Sequence, residues 1–225
     1  MRKYSKKGLE KPIILTELVS FLEDTQLVSD ENAEGRYGST ADENNITTLI
    51  KQDAYWSKYV YRDSMVSTRS FIDIALKDLT LIDGHDIYPI NIKTSKLDTS
   101  DNVLSKQGFL YALTSMTIEE LPGQMTWDKF LELFSAHTVN IPNKDYWYLV
   151  FDKSNMQNVF LRGSKQIINW KSNPSNDIQI DWKKEVLSTE KGYSYKESCE
   201  NIIYTLKDAA MKRNKRDFNL RNFTL

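Results

Sequence analysis

Apolar residues recur at helical spacing through Ile14, Leu15, Leu18, Val19 and Leu22, which predicts an amphipathic helix over 13–22. Ser29 to Gly38 is polar and turn-rich and reads as a loop. Thr40-Ala-Asp-Glu43 has the form of a capping box, so a second helix is expected from Asn44 to about Trp56. A strand-rich block follows. Tyr59-Val-Tyr61 and Ser70 to Leu76 read as extended, Asp83-Gly84 as a turn, and Tyr88-Pro-Ile-Asn-Ile-Lys93 as a strand with Pro89 near its start. Ser100-Asp-Asn predicts another helix start, leading into Val103 to Leu113, and Trp127, Phe130, Leu131 and Phe134 mark a further amphipathic helix. Tyr146 to Phe151 has the continuous apolar character of a buried strand, and Asn158 to Arg162 returns beside it after a turn at Ser154-Asn155. Ser194-Tyr-Lys-Glu197 is a second capping box, opening a long helix with Cys199, Ile202, Ile203, Leu206 and Ala210 on one face. Helix, three strands, helix and strand thus succeed one another in the first two-thirds of the chain. This order predicts an α/β protein with a central mixed sheet flanked by helices.

Composition narrows the class. With 225 residues, 40% of them hydrophobic, the chain is long enough for one well-buried core and short for two full domains. The expectation is a single domain over 1–225, with a core at about 40–152 and a C-terminal region at about 153–225. No apolar run is long enough to cross a bilayer, so no membrane association is expected. One cysteine, Cys199, excludes an internal disulfide and fits a reducing cytoplasm. Only His85 and His137 are present, which argues against a His-rich zinc site. A net charge of −1 excludes a uniformly basic nucleic-acid coat but allows a locally basic cleft.

One polar constellation interrupts the predicted strands. Strand alternation puts Asn91 and Lys93 on the same side, and a hairpin back to Asp73 would join all three at one edge. Polar groups inserted among Ile, Phe, Ala and Leu are disfavoured unless solvated or used. Hydrolysis of a phosphodiester needs a hard cation to polarise the phosphate and acidify the attacking water. A neighbouring ammonium then helps to hold that water or to offset developing charge. Asp73, followed by Asn91-Ile-Lys93 after a hairpin-length gap, resembles the PD-(D/E)xK nuclease superfamily, and within it the type II restriction endonucleases. The likeness extends loosely through Thr94-Ser95, Asp98 to Asn102, Leu104 to Gly108, Asp145 to Arg162 and Ser164-Lys-Gln166.

The resemblance implies a restriction-endonuclease-like core. It also implies Mg²⁺-dependent, sequence-specific cleavage of double-stranded DNA to 5′-phosphate ends. Asp73 and Asn91 would ligate the cation and Lys93 would position water. Two departures stand out: Phe71-Ile72 replaces the proline before the aspartate, and Asn91 stands where the family has Asp or Glu. An amide oxygen is a weaker, neutral ligand than a carboxylate. Glu43 is the first candidate for the missing acid and Asp101 the second. Against these, Glu43 also satisfies a capping box, and Asp101 suits the positive end of the helix expected after Ser100.

Groove-reading side chains are concentrated in Arg162, Lys165, Gln166, Asn173 and Asn176, and a basic cluster at Lys212, Arg213, Lys215 and Arg216, with Arg221, suits phosphates. Polar surface turns and a solvated helix end are the plainer readings of the same residues. Cutting both strands of a symmetric site implies a homodimer, with the helices at 13–22 and at the C-terminal end as interface candidates. Two alternatives stay open: a repair, recombination or phage nuclease of the same superfamily, and a non-catalytic DNA-binding module. His85 reads as a turn residue, His137 as a helix C-terminal charge, Cys199 as a buried thiol, and the aromatic run 146–148 as core.

Overall fold

The computed structural model describes residues 11–29, 35–63, 71–79, 87–102, 105–188 and 193–213. Its elements in chain order are helix α1 (Ile13–Asp24), helix α2 (Gly35–Gln52), a 3-10 turn (Trp56–Lys58), and strands β1 (Val60–Asp63), β2 (Ile74–Lys77), β3 (Ile87–Ser95) and β4 (Ser100–Asn102). Helices α3 (Lys106–Leu113) and α4 (Trp127–His137) lead to strands β5 (Trp147–Asp152), β6 (Asn155–Gly163), β7 (Trp170–Asn173) and β8 (Asp177–Asp181), then α5 (Trp182–Glu185) and α6 (Tyr195–Lys212). The predicted turn at Asp83-Gly84, with His85, and the Lys215, Arg216 and Arg221 part of the basic cluster lie outside the described residues.

The fold is α/β. A five-stranded mixed sheet has the order β1-β2-β3-β5-β6, and a three-stranded sheet has the order β4-β8-β7. Strands β1, β2 and β3 form an antiparallel meander; β5 then lies parallel to β3, and β6 antiparallel to β5. A parallel neighbour requires a crossover, and here the crossover runs through β4, α3 and α4. Pro89 is accommodated because β5 begins pairing with β3 only at Ile90.

The large sheet separates two apolar clusters. Ile90, Ile92, Leu149 and Phe151 pack with Leu15, Leu18, Leu22, Ile46 and Ile50 from α1 and α2. Tyr146, Tyr148 and Val150 pack with Phe109, Phe130, Phe134, Ile178, Ile180 and α6 residues Ile202 and Leu206. Alternation along β5 therefore feeds both cores, which explains a run without polar interruption. Helix α1 lies on β6, and α6 on β7 and β8. The apolar faces expected to await a second copy are thus covered within one chain. Among the described residues, no helix is long and apolar enough to cross a membrane.

Two local expectations are corrected. Helix α2 begins at Gly35, so Thr40 and Glu43 lie inside it rather than at its start. Ser100-Asp-Asn is not a helix start: it forms β4 and pairs with β8, while the helix is capped by Ser105, whose side chain accepts the Gly108 N–H. Asp101 accordingly sits on a strand rather than at the start of the following helix. Lys171 to Asn176, for which a polar surface turn is the plainer reading, does turn at 174–176, between strands β7 and β8 of the second sheet. The Ser194 capping box is present with both reciprocal bonds, and His137 occupies the last turn of α4.

Candidate active site

Asp73 immediately precedes β2. Its backbone N–H donates to the Ile90 carbonyl at 3.0 Å, and its Oδ2 accepts the Ile92 N–H at 2.7 Å. Both bonds tie it to β3 beside Asn91. Alternation sends Asn91 and Lys93 to the side opposite Ile90 and Ile92. Lys93 Nζ lies 3.7 Å from Glu43 Oε1, with both side chains mostly covered. Glu43 also accepts the Thr94 N–H. The structure therefore gathers Asp73, Asn91, Lys93 and Glu43 from α2, the approach to β2, and β3. With Thr40 and Glu43 internal to α2, helix capping no longer accounts for Glu43.

Burial pushes the Asp73 carboxyl above its ordinary range, opposed by the Lys93 ammonium and the Ile92 N–H. Glu43 is also raised by burial; Lys93 opposes the shift and the Asp73 charge adds to it. Two desolvated carboxylates thus share one ammonium, an arrangement a further cation would relieve.

Asn91 contributes an unusual feature. Its Oδ1 is buried and has no hydrogen-bond partner among the described residues. Its side chain hydrogen-bonds to the Tyr146 hydroxyl, as does that of Ser105. The Tyr146 hydroxyl itself donates to the Phe71 carbonyl. Neither Tyr146 nor Ser105 stands out in the sequence as part of a site. A tyrosine inside a buried-strand run reads as core, and only the fold shows what its hydroxyl reaches.

As a donor set for a metal, Asp73, Glu43 and the orphaned Asn91 Oδ1 are all oxygen, which suits a hard divalent cation. Among the described residues, no three His, Cys, Asp or Glu side chains form a metal-holding group. The set reaches three only through the amide oxygen. Asp101, on β4, is not joined to this cluster by any of these bonds.

The expected DNA-contacting residues are scattered in environment. Lys165 is fully buried, its ammonium donating to the Ile141 carbonyl at 2.9 Å, so it presents nothing to solvent. Arg162 is mostly covered, 3.6 Å from Glu185, and donates to the Leu161 carbonyl. Gln166 accepts the Gly163 N–H at 3.1 Å. Asn173 closes the β7–β8 turn by accepting the N–H groups of Ser175 and Asn176, and Asn176 is exposed there. Lys212 bonds Asp208 and Ser172, both at 2.7 Å, and Arg213 is ion-paired with Asp177. Exposed polar reach thus belongs to the β7–β8 turn and the Lys212 end of α6.

Compared with known proteins, the chain matches no protein-family model and no curated sequence.

Proposed function

We propose that this chain is a divalent-cation-dependent endonuclease of the type II restriction kind, cutting double-stranded DNA to leave 5′-phosphates. One observation carries the reading. Asp73, immediately before β2, meets the Asn91–Lys93 pair in the middle of the adjacent β3, within an antiparallel meander followed by a crossover to a parallel strand. That order agrees with the restriction-endonuclease-like core implied by the sequence resemblance. Glu43 supplies the second acid that Asn91 does not.

Mg²⁺ would be held by Asp73, Glu43 and Asn91, where it supplies polarisation of the scissile phosphate and acidification of the attacking water. The chain's own groups do the rest. The Ile92 N–H holds Asp73 in one orientation. The Lys93 ammonium orients the incoming water and offsets negative charge building on the phosphate. Glu43 keeps that ammonium at the site. Asn173, Asn176 and Lys212 are the accessible candidates for duplex contact, and Arg162, Lys165, Gln166 and Arg213 act mainly through internal bonds. A two-fold homodimer would place one site on each strand.

The deciding experiment incubates the purified chain with a mixed-sequence duplex, with Mg²⁺ and with chelator. Discrete fragments only with Mg²⁺ support restriction cleavage, and a smear supports a less specific nuclease. A mobility shift without cleavage under any divalent cation would overturn the catalytic reading in favour of a binding module.

A further inference from the structure

The Tyr146 hydroxyl joins the two arms of the site. Tyr146 is fully buried and stands one residue before β5. The Phe71 carbonyl, two residues before Asp73, can only accept a hydrogen bond, so the single phenolic proton is committed to it. Toward its other neighbours the hydroxyl offers only lone pairs. Ser105 has its hydroxyl proton to give while its oxygen accepts the Gly108 N–H. Residue 91 must likewise donate. Asparagine does so through Nδ2, which turns Oδ1 away from Tyr146. Oδ1 is the atom left buried and unpartnered.

We infer that Tyr146, pinned by the Phe71 carbonyl, is a positioning residue that selects an amide over a carboxylate at position 91 and presents Asn91 Oδ1 as a neutral ligand to a divalent cation. The inference rests on the reading of Asp73, Asn91 and Glu43 as a cation site. It gives the departure from an acidic residue a physical cause. A carboxylate at 91 would face the phenol oxygen acceptor to acceptor, and would add a third negative charge beside Asp73 and Glu43. An amide avoids both and still offers an oxygen. The position of the ring is itself fixed: a Cβ on Gly108 would lie 2.5 Å from its edge, so α3 closes over it without slack.

The test is a double-mutant cycle on the full chain: wild type, N91D, Y146F and N91D/Y146F. Thermal unfolding is followed in chelator, and Mn²⁺ binding by electron paramagnetic resonance. N91D is expected to lower Tm clearly when Tyr146 is present and much less when its hydroxyl is removed. Y146F is expected to weaken Mn²⁺ binding about 10-fold with Asn91 in place, and N91D/Y146F to bind Mn²⁺ more tightly than N91D. An equal Tm change from N91D in both backgrounds overturns the inference. If N91D fails to fold and N91D/Y146F folds, the same coupling is demonstrated. If both fail, Y146F is compared in wild type and in N91A. Loss of Mn²⁺ affinity only in wild type supports action through Asn91, and equal loss in both overturns it. The unfolding arm needs neither metal nor DNA. Coupling without Mg²⁺-dependent cleavage would therefore count against the nuclease reading alone, and cleavage without coupling against this inference alone.

Discussion

Asp73 Oδ2 accepts the backbone N–H of Ile92 at 2.7 Å, so the acid that opens β2 is anchored to the strand that carries Asn91 and Lys93. This bond separates two roles of the side chain. D73N keeps an oxygen for Ile92 but loses the charge, and is expected to reduce DNA cleavage at least ~100-fold with little change in Tm. D73A also strands the Ile92 N–H and is expected to unfold more easily by about 1–2 kcal/mol. Cleavage at the native rate by D73N would remove Asp73 from the site.

The Glu43–Lys93 pair gives a second prediction. Its side chains are 19% and 24% exposed, so removing either partner leaves a largely covered charge and is expected to lower stability by about 1–3 kcal/mol. Activity should respond according to the role of each residue. K93A is expected to lose roughly 100-fold or more in kcat and E43Q roughly 10-fold. Steady-state cleavage rates and Tm measured on the same preparations check the contrast. A native rate in E43Q would show that the acid replacing a carboxylate at 91 lies elsewhere.

Gly108 tests how firmly α3 is seated on the aromatic ring beneath it. An added Cβ would lie 2.5 Å from the Tyr146 ring. G108A is therefore expected to destabilise by about 1–3 kcal/mol through overpacking, despite the better helix propensity of alanine. Denaturant unfolding measures this. A stabilised G108A would mean that the ring has room to move.

Stability should also depend on pH through Lys144 and Asp145, which lie outside the candidate active site. Burial raises Asp145 from 3.8 to about 6, opposed by Lys165 and by backbone N–H donors. Its folded-state pKa exceeds the unfolded one, so its contribution is full below about pH 4 and is lost as pH rises through about 6. Burial lowers Lys144 from 10.5 to about 8, with the Lys165 charge adding to the shift. Its contribution is therefore present above 10.5 and lost as pH falls through about 8. Each effect is on the order of 3 kcal/mol. Together they favour a stability minimum between about pH 6 and 8. Chemical unfolding of wild type and D145N between about pH 4 and 6 should show the acid-side slope in the wild type alone. Parallel curves would rule out Asp145 as its source.

What the sequence disclosed depended on how local the governing interactions are. The α1 stripe, the Ser194 capping box and the apolar run into β5 are each encoded within a few residues, and each formed as expected. Ser100-Asp-Asn carries the residues of a helix cap, yet its backbone pairs with β8 some 80 residues later. That non-local partner outweighs the local preference. Glu43 was ambiguous because the Thr40 pattern mimics a cap, and Gly38 just before it reads as loop although it is buried inside α2. Asp73, Asn91 and Lys93 were legible because alternation and a hairpin suffice to bring them together. Tyr146 and Ser105 were not, since no spacing connects a phenol at 146 to an amide at 91. Lys165 shows the converse: a cation in a polar stretch is a surface group by composition, but here it is drawn inside to the Ile141 carbonyl.

The alternation of β3 has a consequence for how such a site can change over time. Ile90 and Ile92 are locked into one core while Asn91 and Lys93 project the other way. Inserting or deleting a single residue within this strand would drive a lysine among leucines and lift an isoleucine into the cluster of acids. The strand is therefore closed to length variation at its centre. New chemistry at this edge can arise there by exchanging one side chain for another, with the hydrogen-bonding character of Tyr146 restricting which exchanges survive.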